Sequence, residues 1–292
     1  MITYAGQTFK VVVVTPAGRA EYLDIFKKFI YRKMDEGLID HWQLWVNTVK
    51  QSDIYYLNSM EAENPKVKKY TLTTGQIIPS WETYDALRTH EFMNMYAQDD
   101  DTIYIRFDDD IVWCADDAIE KICQARIDHP DAFIIYPNII NSTLLTAWHQ
   151  KNGALSIGDG SLKVNQKEEN PTNPDHVYLC EFNYSDSRLI EHIHRTFQAR
   201  FTQGSLNAYY IPSQSFDDYQ RFSICCICWW GRDHIQGGRV EEPWLAWEEP
   251  IRLGRPVWFC GDALMVHFAY HTQREHLKTK PEYLEFYKNI TK

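Results

Sequence analysis

Apolar stretches and helical patterns alternate along the first part of the chain. A continuous apolar run at residues 9–14 is typical of a central parallel strand that is covered on both faces. Apolar residues then recur three or four positions apart over residues 22–30, which predicts an amphipathic helix. A second predicted strand, over residues 41–48, ends in polar residues. This order predicts an α/β protein with an open, mostly parallel sheet flanked by helices.

The same patterning continues after residue 50. It predicts further strands over residues 53–57, 67–72, 103–107, 132–136, 222–230 and 263–266, and further helices over residues 84–96, 116–125 and 186–201. Residues 152–173 are rich in Gly, Asn and Lys, which predicts a flexible loop or lid. We expect one continuous catalytic domain, with a nucleotide-binding half at residues 1–140 and an acceptor-binding half at residues 141–292.

Three adjacent carboxylates, Asp108, Asp109 and Asp110, directly follow the apolar strand at residues 103–107. Their mutual repulsion destabilises the fold unless a cation lies between them. Carboxylate oxygens suit hard divalent ions such as Mg²⁺ and Mn²⁺, and ligands bind at the carboxyl ends of strands in α/β sheets. The triplet therefore predicts a metal and diphosphate site. A solvated acidic turn is the alternative, and it is our interpretation of the earlier triplet at residues 99–101.

Composition narrows the class of protein. The 292-residue chain is long enough to bury a large core, and its apolar fraction of 44% is ordinary for a globular enzyme. A formal net charge of −10 without a long basic run disfavours binding to nucleic acid. The seven cysteines lack zinc-finger spacing and are predicted to be small buried hydrophobes. With no signal peptide or transmembrane segment recognised, the expected location is the cytoplasm.

The chain resembles glycosyltransferases of the GT-A fold, which bind nucleotide sugars. The resemblance covers most of the chain and is carried by residues 11–19, 45–48, 106–110, 237–245 and 261–267. The most specific of these features is the Asp triplet, which in its strand context is similar to the DXD motif of that fold. The resemblance implies a metal-dependent transfer of a sugar from a nucleotide donor, with a UDP-sugar expected. The implied acceptor is a free hydroxyl of a glycan or glycoconjugate.

The resemblance also implies roles for individual residues. Nucleotide-binding residues are expected at Thr15, Ala17, Gly18, Arg19, Asn47, Arg106, Asp108 and Asp109. Asp110, together with Asp108, would bind the Mn²⁺ or Mg²⁺ that bridges the two phosphates. His267, at the end of a predicted apolar strand, would complete the metal shell, and a core histidine without a ligand is the alternative.

An inverting transfer needs a carboxylate that takes the proton of the acceptor hydroxyl. Glu242 is predicted as this general base and Glu241 as the second choice, because the acidic pair resembles the motif that supplies it. Many inverting members carry Glu-Asp at this place, whereas this chain has Glu-Glu followed by Pro243. A retaining enzyme would need no such base. Weaker candidates for the base are Asp233, Glu248 and Glu249.

Other polar residues are weaker candidates for substrate contacts. Acceptor contacts are conceivable for Trp148, His149, His192 and His194, and phosphate contacts for His271, Arg274 and His276.

Two other functions stay open. A nucleotidyltransferase has the same arrangement of strand, carboxylates and metal, but such enzymes usually carry a Gly-rich, basic N-terminal loop, and residues 15–19 hold one Gly and one Arg. A non-catalytic sugar- or nucleotide-binding protein on the same fold is the other alternative.

Overall fold

An open sheet of ten strands with helices packed against it organises the protein. The computed structural model describes residues 1–4, 6–72, 89, 91–156, 165–167, 179–181, 186–216, 222–235 and 244–291. The strands of the sheet are β1 (Ile2–Tyr4), β2 (Gln7–Ala17), β3 (His41–Val46), β4 (Val67–Tyr70), β5 (Thr102–Phe107), β6 (Ile111–Cys114), β7 (Ile135–Ile140), β10 (Gln214–Phe216), β11 (Cys226–Trp230) and β12 (Val257–His267). A separate pair is formed by β8 (Asn165–Lys167) and β9 (Leu179–Glu181). The predicted open α/β sheet flanked by helices is confirmed, but this sheet is mixed rather than mostly parallel, with four parallel and five antiparallel pairings among the described strands.

The helices pack through apolar faces that the sequence pattern predicts. They are α1 (Ala20–Asp35), α2 (Gln51–Glu63), α3 (Ala118–Asp128), α4 (Thr143–Lys151), α5 (Ser187–Thr202), α6 (Glu249–Leu253), α7 (His271–Lys278) and α8 (Pro281–Ile290). In α1, for example, Leu23, Phe26 and Ile30 are fully buried on one face. Among the residues described, no helix is both long and apolar enough to cross a membrane.

Strand direction determines where ligands can meet the sheet. The strand order is β10-β12-β7-β11-β5-β2-β3-β4, with β1 paired to β2 and β6 paired to β12. β2 is parallel to β3 and β5, β3 is parallel to β4, and β7 is parallel to β12. β11 is antiparallel to both β5 and β7, so these two strands run in the same direction. The carboxyl ends of β2, β3, β4, β5, β7 and β12 therefore lie along one edge.

Several element predictions need correction. The strand predicted over residues 53–57 is wrong, because these residues lie in α2. Asp53, Leu57 and Met60 are buried at helical spacing, and Asp53 lies in the first turn, where the helix dipole favours a carboxylate. The strand predicted over residues 132–136 is shifted to β7, and the one over residues 263–266 is the end of the longer β12.

Two predicted elements fall partly outside the described residues. Of the helix predicted over residues 84–96, residues 91–96 are helical, and Thr89 is the one described residue before them. Of the loop predicted over residues 152–173, the structure describes residues 152–156 and the strand β8.

Two apolar clusters form the core. The larger one surrounds the central strands and includes Val13, Phe26, Ile105 and Trp229. The second lies between the end of β12 and the helices α5, α7 and α8, where Phe197 and Tyr287 pack together. The six cysteines whose side chains are described are free and buried, in agreement with the prediction.

Two imidazoles are fully buried in this core. His149 Nε2 donates to Asn138 Oδ1 at 2.8 Å, and burial lowers the pKa of His149 to about 3. His194 lies between Tyr287 Oη and the carbonyl oxygen of Phe268, each at 2.9 Å, and burial lowers its pKa to about 4. Both rings are therefore neutral in the folded protein at neutral pH. Because both are buried in the core, neither is exposed for the contact with an acceptor substrate that the sequence suggested.

We expect the free energy of unfolding to fall as the pH drops below about 6.5, because the unfolded chain then binds protons that the buried rings do not. Each buried histidine lowers the free energy of unfolding by at most about 1.4 kcal/mol per pH unit. The decrease stops once the pH falls below the pKa of that histidine in the folded protein. His149→Gln keeps an N–H donor for Asn138 but cannot titrate. In urea unfolding at pH 7 and pH 5, this variant should lose less stability than the wild type. Equal losses in the two proteins would contradict the prediction.

Candidate functional site

A cavity of about 790 Å³ opens at the edge where the parallel strands end. β2, β3, β5 and β12 reach this edge, and the residues at or just after their ends line the cavity. The charged lining consists of the carboxylates Asp108, Asp109 and Asp110 and the basic side chains Arg19, Arg106, His267, His271 and Arg274. Segments that are distant in sequence thus place opposite charges around one cavity.

Asp109 connects the triplet to the turn after β2. Its side chain is only 3% exposed. Asp109 Oδ2 accepts a hydrogen bond from the Gly18 backbone N–H at 2.8 Å, and Asp109 Oδ1 accepts from Arg19 Nε at 2.6 Å and from Arg19 Nη2. A buried carboxylate needs such partners, since unpaired burial is strongly unfavourable. Asp109 therefore holds the turn in place.

Gly18 allows this turn to approach the end of β3. A Cβ atom on Gly18 would lie 2.6 Å from the carbonyl oxygen of Asn47, closer than a carbon and a backbone oxygen can pack. The backbone N–H of Asn47 donates to the Ala17 carbonyl oxygen at 2.8 Å. The small residue thus brings the predicted nucleotide-binding turn beside Asn47, and both line the cavity.

Asp110 is the most buried carboxylate of the triplet, with 1% of its side chain exposed. Its Oδ2 lies 2.7 Å from Arg19 Nη1 and 3.4 Å from Arg274 Nη2, and its Oδ1 lies 3.3 Å from His267 Nε2. Burial alone would raise the pKa of Asp110, but Arg19, His267 and Arg274 outweigh it and hold the pKa well below its usual range. Asp110 is therefore ionised at neutral pH.

Asp108 is more accessible than its neighbours, with 21% of its side chain exposed. Arg106 Nε and Nη2 donate to Asp108 Oδ1 at 3.1 and 2.9 Å. The backbone N–H of Asp108 donates to the Cys225 carbonyl oxygen at 2.8 Å, which fixes the start of the triplet against the beginning of β11. Asp108 can thus face a ligand while Arg106 orients it.

His267 reaches Asp110 through an irregularity in β12. The pairing of β12 with β6 shifts register between Val266 and His267, and such bulges re-aim side chains. The backbone N–H of Phe268 then donates to the Asp110 carbonyl oxygen at 2.8 Å. Burial lowers the pKa of the imidazole, but the ionised Asp110 carboxylate raises it well above its ordinary value overall, so an ion that binds at Nε2 would displace a proton.

Asp110 and His267 are the pair that fits a divalent ion. Asp110 Oδ1 is buried and accepts no hydrogen bond from the described residues, and His267 Nε2 lies at 3.3 Å from it. Two neighbouring ligands of an octahedral Mg²⁺ lie about 3 Å apart, since each is roughly 2.1 Å from the ion. No described group of three or more His, Cys, Asp or Glu side chains could hold an ion. Water and substrate oxygens would therefore supply the other ligands, as is usual for Mg²⁺.

Other predicted nucleotide-binding residues lie away from the cavity surface. Thr15 is fully buried, and its Oγ1 accepts a hydrogen bond from Trp42 Nε1 at 2.9 Å. Ala17 is also fully buried and contributes its backbone to the turn. The side chains of these two residues therefore support the turn from inside the sheet.

Those predicted general bases that the structure describes do not line the cavity. Glu242 and Glu241 lie outside the described residues. Asp233 is paired with Arg255 at 2.9 Å, and Glu249 is paired with Arg252 in α6. Glu248 is exposed and is absent from the cavity lining.

The basic candidates of the C-terminal region divide into two groups. His271 and Arg274 line the cavity at the start of α7. His276 points elsewhere, because its Nε2 lies 2.7 Å from Glu191 Oε1. The aromatic candidate Trp148 stacks on Phe216.

Sequence reasoning missed the residues before β11. Ser223, Ile224 and Cys225 line the cavity, although the pattern placed them inside a buried strand. Because β11 runs antiparallel to β5, its beginning lies at the same edge as the end of β5. Hydrophobic patterning does not reveal strand direction, so no signal in the sequence pointed to these residues.

Comparisons with known proteins give structural matches only. No protein-family model and no curated protein sequence matches the chain. A 4-diphosphocytidyl-2C-methyl-D-erythritol synthase from Anaerococcus prevotii matches with 14% identity and a TM-score of 0.35, over 60% of this chain and 68% of that one. A CMP:2-keto-3-deoxy-manno-octonic acid synthetase complexed with CTP matches with 11% identity and a TM-score of 0.43, over 95% of this chain and 99% of that one.

These matches correct the function expected from sequence. Both matched proteins are nucleotidyltransferases and neither is a glycosyltransferase, so the prediction of a glycosyltransferase is contradicted. The sugar donor and the glycan acceptor stay predictions. Because both TM-scores are below 0.5, the function proposed below rests on the residues of the cavity.

Removing Arg19 should destabilise the fold by leaving Asp109 buried without its cation. We expect Arg19→Met to lower the free energy of unfolding by about 1.5–3 kcal/mol, the range for hydrogen bonds to charged groups. The double variant Arg19→Met/Asp109→Asn should recover part of this loss, because the charge of Asp109 is gone and Asp110 keeps His267 and Arg274 as partners. Urea unfolding measures both. Arg32→Met, which removes an arginine paired with the exposed Asp116, is the control and should change little. A double variant no more stable than Arg19→Met would contradict the ion-pair explanation.

Proposed function

We propose that the protein is a nucleotidyltransferase that binds a nucleoside triphosphate in the cavity at the carboxyl edge of the sheet. One observation carries the proposal: three carboxylates and five basic side chains line the same cavity. Carboxylates suit a divalent ion, and arginines suit phosphate oxygens, so the set matches a metal-bound polyphosphate. Either kind of charge alone would not.

The basic residues also answer the main objection from sequence. Residues 15–19 contain a single Gly and a single Arg, less than such enzymes usually carry in this loop. The cavity gathers further positive charge from β5, through Arg106, and from α7, through Arg274, and the His271 ring adds a hydrogen-bonding group from α7. Phosphate binding can thus be shared among three segments of the chain.

Asp110 and His267 would hold the divalent ion, and Asp108 lines the same cavity. When bound, the ion supplies charge neutralisation for the phosphate oxygens. In the reaction, an acceptor oxygen forms a bond to the α-phosphorus while the bond from that phosphorus to the bridging oxygen breaks, and pyrophosphate leaves. Arg19 and Arg274, which both line the cavity, would stabilise the negative charge of the departing group.

The pairing of the cavity carboxylates with basic side chains favours an acceptor that is already an anion. Each described carboxylate in the cavity lies in an ion pair: Asp108 with Arg106, Asp109 with Arg19, and Asp110 with Arg19, His267 and Arg274. The pKa of Asp110 is held well below its usual range, and both oxygens of the buried Asp109 accept hydrogen bonds from Gly18 and Arg19, so neither carboxylate is free to take a proton from an acceptor. An acceptor carboxylate or phosphate needs no proton removed, so we propose an acceptor of this class.

Thermal unfolding with ATP, CTP, GTP, UTP and UDP-glucose, each with and without Mn²⁺, tests the proposal. A triphosphate at a hundredfold excess over its Kd should stabilise the fold by about 2.7 kcal/mol, and only when the metal is present. Asp110→Asn should abolish the effect, whereas Asp101→Asn in the exposed turn should keep it. If no triphosphate stabilises the protein at millimolar concentration, the proposal fails. A stronger effect of UDP-glucose than of any triphosphate would also contradict it.

Arg274→Gln should weaken triphosphate use while the protein still folds, because Arg274 is one-third exposed and the closer partners Arg19 and His267 remain beside Asp110. We expect the KM for the triphosphate to rise about tenfold or more, the effect of losing a charge-assisted hydrogen bond. Pyrophosphate release with a panel of carboxylate and phosphate acceptors measures this. Arg252→Gln, at an exposed site in α6, is the matched control. If the protein binds nucleotide with metal but releases no pyrophosphate with any acceptor of the panel, the result would instead support a non-catalytic binding protein.

A further inference from the structure

Asn141 occupies an unusual position directly after β7. It is fully buried, and its backbone φ is 63°, in the left-handed region that side chains other than Gly rarely adopt. Asn tolerates this conformation better than most residues. The strand end it follows lies at the same sheet edge as the cavity.

The side-chain amide of Asn141 holds the segment that carries His267. Asn141 Nδ2 lies 3.2 Å from the carbonyl oxygen of His267, 3.1 Å from that of Phe268 and 3.1 Å from Gln273 Oε1. Gln273 Oε1 in turn accepts from the Tyr270 backbone N–H at 3.0 Å, at the start of α7. One buried amide group thus joins the end of β12 to the helix that contains Arg274.

The backbone of Asn141 contacts the imidazole itself. His267 Nδ1 lies 3.2 Å from the Asn141 carbonyl oxygen, so Nδ1–H donates to it. This leaves Nε2 on the side of Asp110, where an ion would bind. Partners of this kind fix the orientation of a metal-binding histidine and the ring nitrogen that it presents.

We infer that Asn141 is a positioning residue, which orients His267 toward Asp110 for divalent-ion binding. The inference rests on the proposed function, because His267 is taken there as a metal ligand. Asn141 itself does not line the cavity. It acts through the backbone of residues 267–268, at the bulge that turns the imidazole toward the cavity.

Asn138, on the same strand, provides a matched comparison. It is also fully buried, and its Nδ2 donates to the carbonyl oxygens of Tyr209 and Gly261, each at 2.8 Å. Neither of these partners lines the cavity. Removing this amide tests the loss of a buried hydrogen-bonding side chain without altering the support of His267.

The experiment measures Mn²⁺ affinity without nucleotide, by electron paramagnetic resonance of the free ion. The proteins are the wild type, Asn141→Gly, Asn138→Ala and His267→Ala, and the melting temperature of each is measured as well.

Glycine accepts the left-handed backbone, so Asn141→Gly removes the amide and keeps the turn. We expect it to bind Mn²⁺ about 10- to 100-fold more weakly, the usual effect of losing a partner of a metal ligand. Asn138→Ala should lower the melting temperature and keep the wild-type affinity. Asn141→Asp, of the same shape but without the N–H donors, replaces Asn141→Gly if that variant fails to fold.

The other outcomes are distinct. Equal Mn²⁺ affinity of Asn141→Gly and the wild type overturns the positioning role and leaves the proposed function standing. Equal weakening in Asn138→Ala also overturns it, because general loosening would then explain the effect. If His267→Ala binds Mn²⁺ as the wild type does, His267 is not a ligand and the positioning role falls. The triphosphate measurement still decides nucleotidyl transfer in that case.

Discussion

Two adjacent buried carboxylates impose the constraint on which the rest of the structure depends. Asp109 and Asp110 are 3% and 1% exposed, and removing a charge from water carries a penalty of several kcal/mol, roughly, unless partners compensate. Arg19 supplies the main compensation and thereby ties the N-terminus of α1 to the triplet. His267 and Arg274 supply the remainder and tie down β12 and α7. The same ion pairs that stabilise the fold thus collect the charges of the cavity.

Sheet direction explains why these groups can meet at all. Parallel strands bring their carboxyl ends to one edge, and β11, inserted in the opposite direction, brings its beginning to that edge as well. Residues that follow the strand ends no longer pair with a neighbouring strand, so their polar groups are available to ligands. Gly18 and the bulge at His267 are local adjustments that bring backbone and imidazole to the carboxylates. Each departs from regular geometry at the place where the site needs it.

Local patterning predicted the elements whose residues are dominated by burial. The apolar run of β2 and the amphipathic face of α1 were identified because each matches one period clearly. Residues 53–57 were misassigned, because five residues are too few to distinguish a helical face from a strand. The triplet and His267 could be selected by chemistry, since carboxylates and an imidazole that directly follow apolar strands are a set suited to a divalent ion. Asn141 could not, because its role depends on contacts with residues more than a hundred positions away.

The spacing of the charge partners has a consequence for how the protein is made. Arg274 lies 164 positions after Asp110, so the acidic triplet is synthesised long before its last cation. A chain extending only through β5 and the triplet contains Arg19 but neither His267 nor Arg274. Contacts between such distant segments form late in folding, because the loop that joins them must first close. A nascent chain therefore cannot form the Asp110–His267 pair until β12 has been added to the sheet.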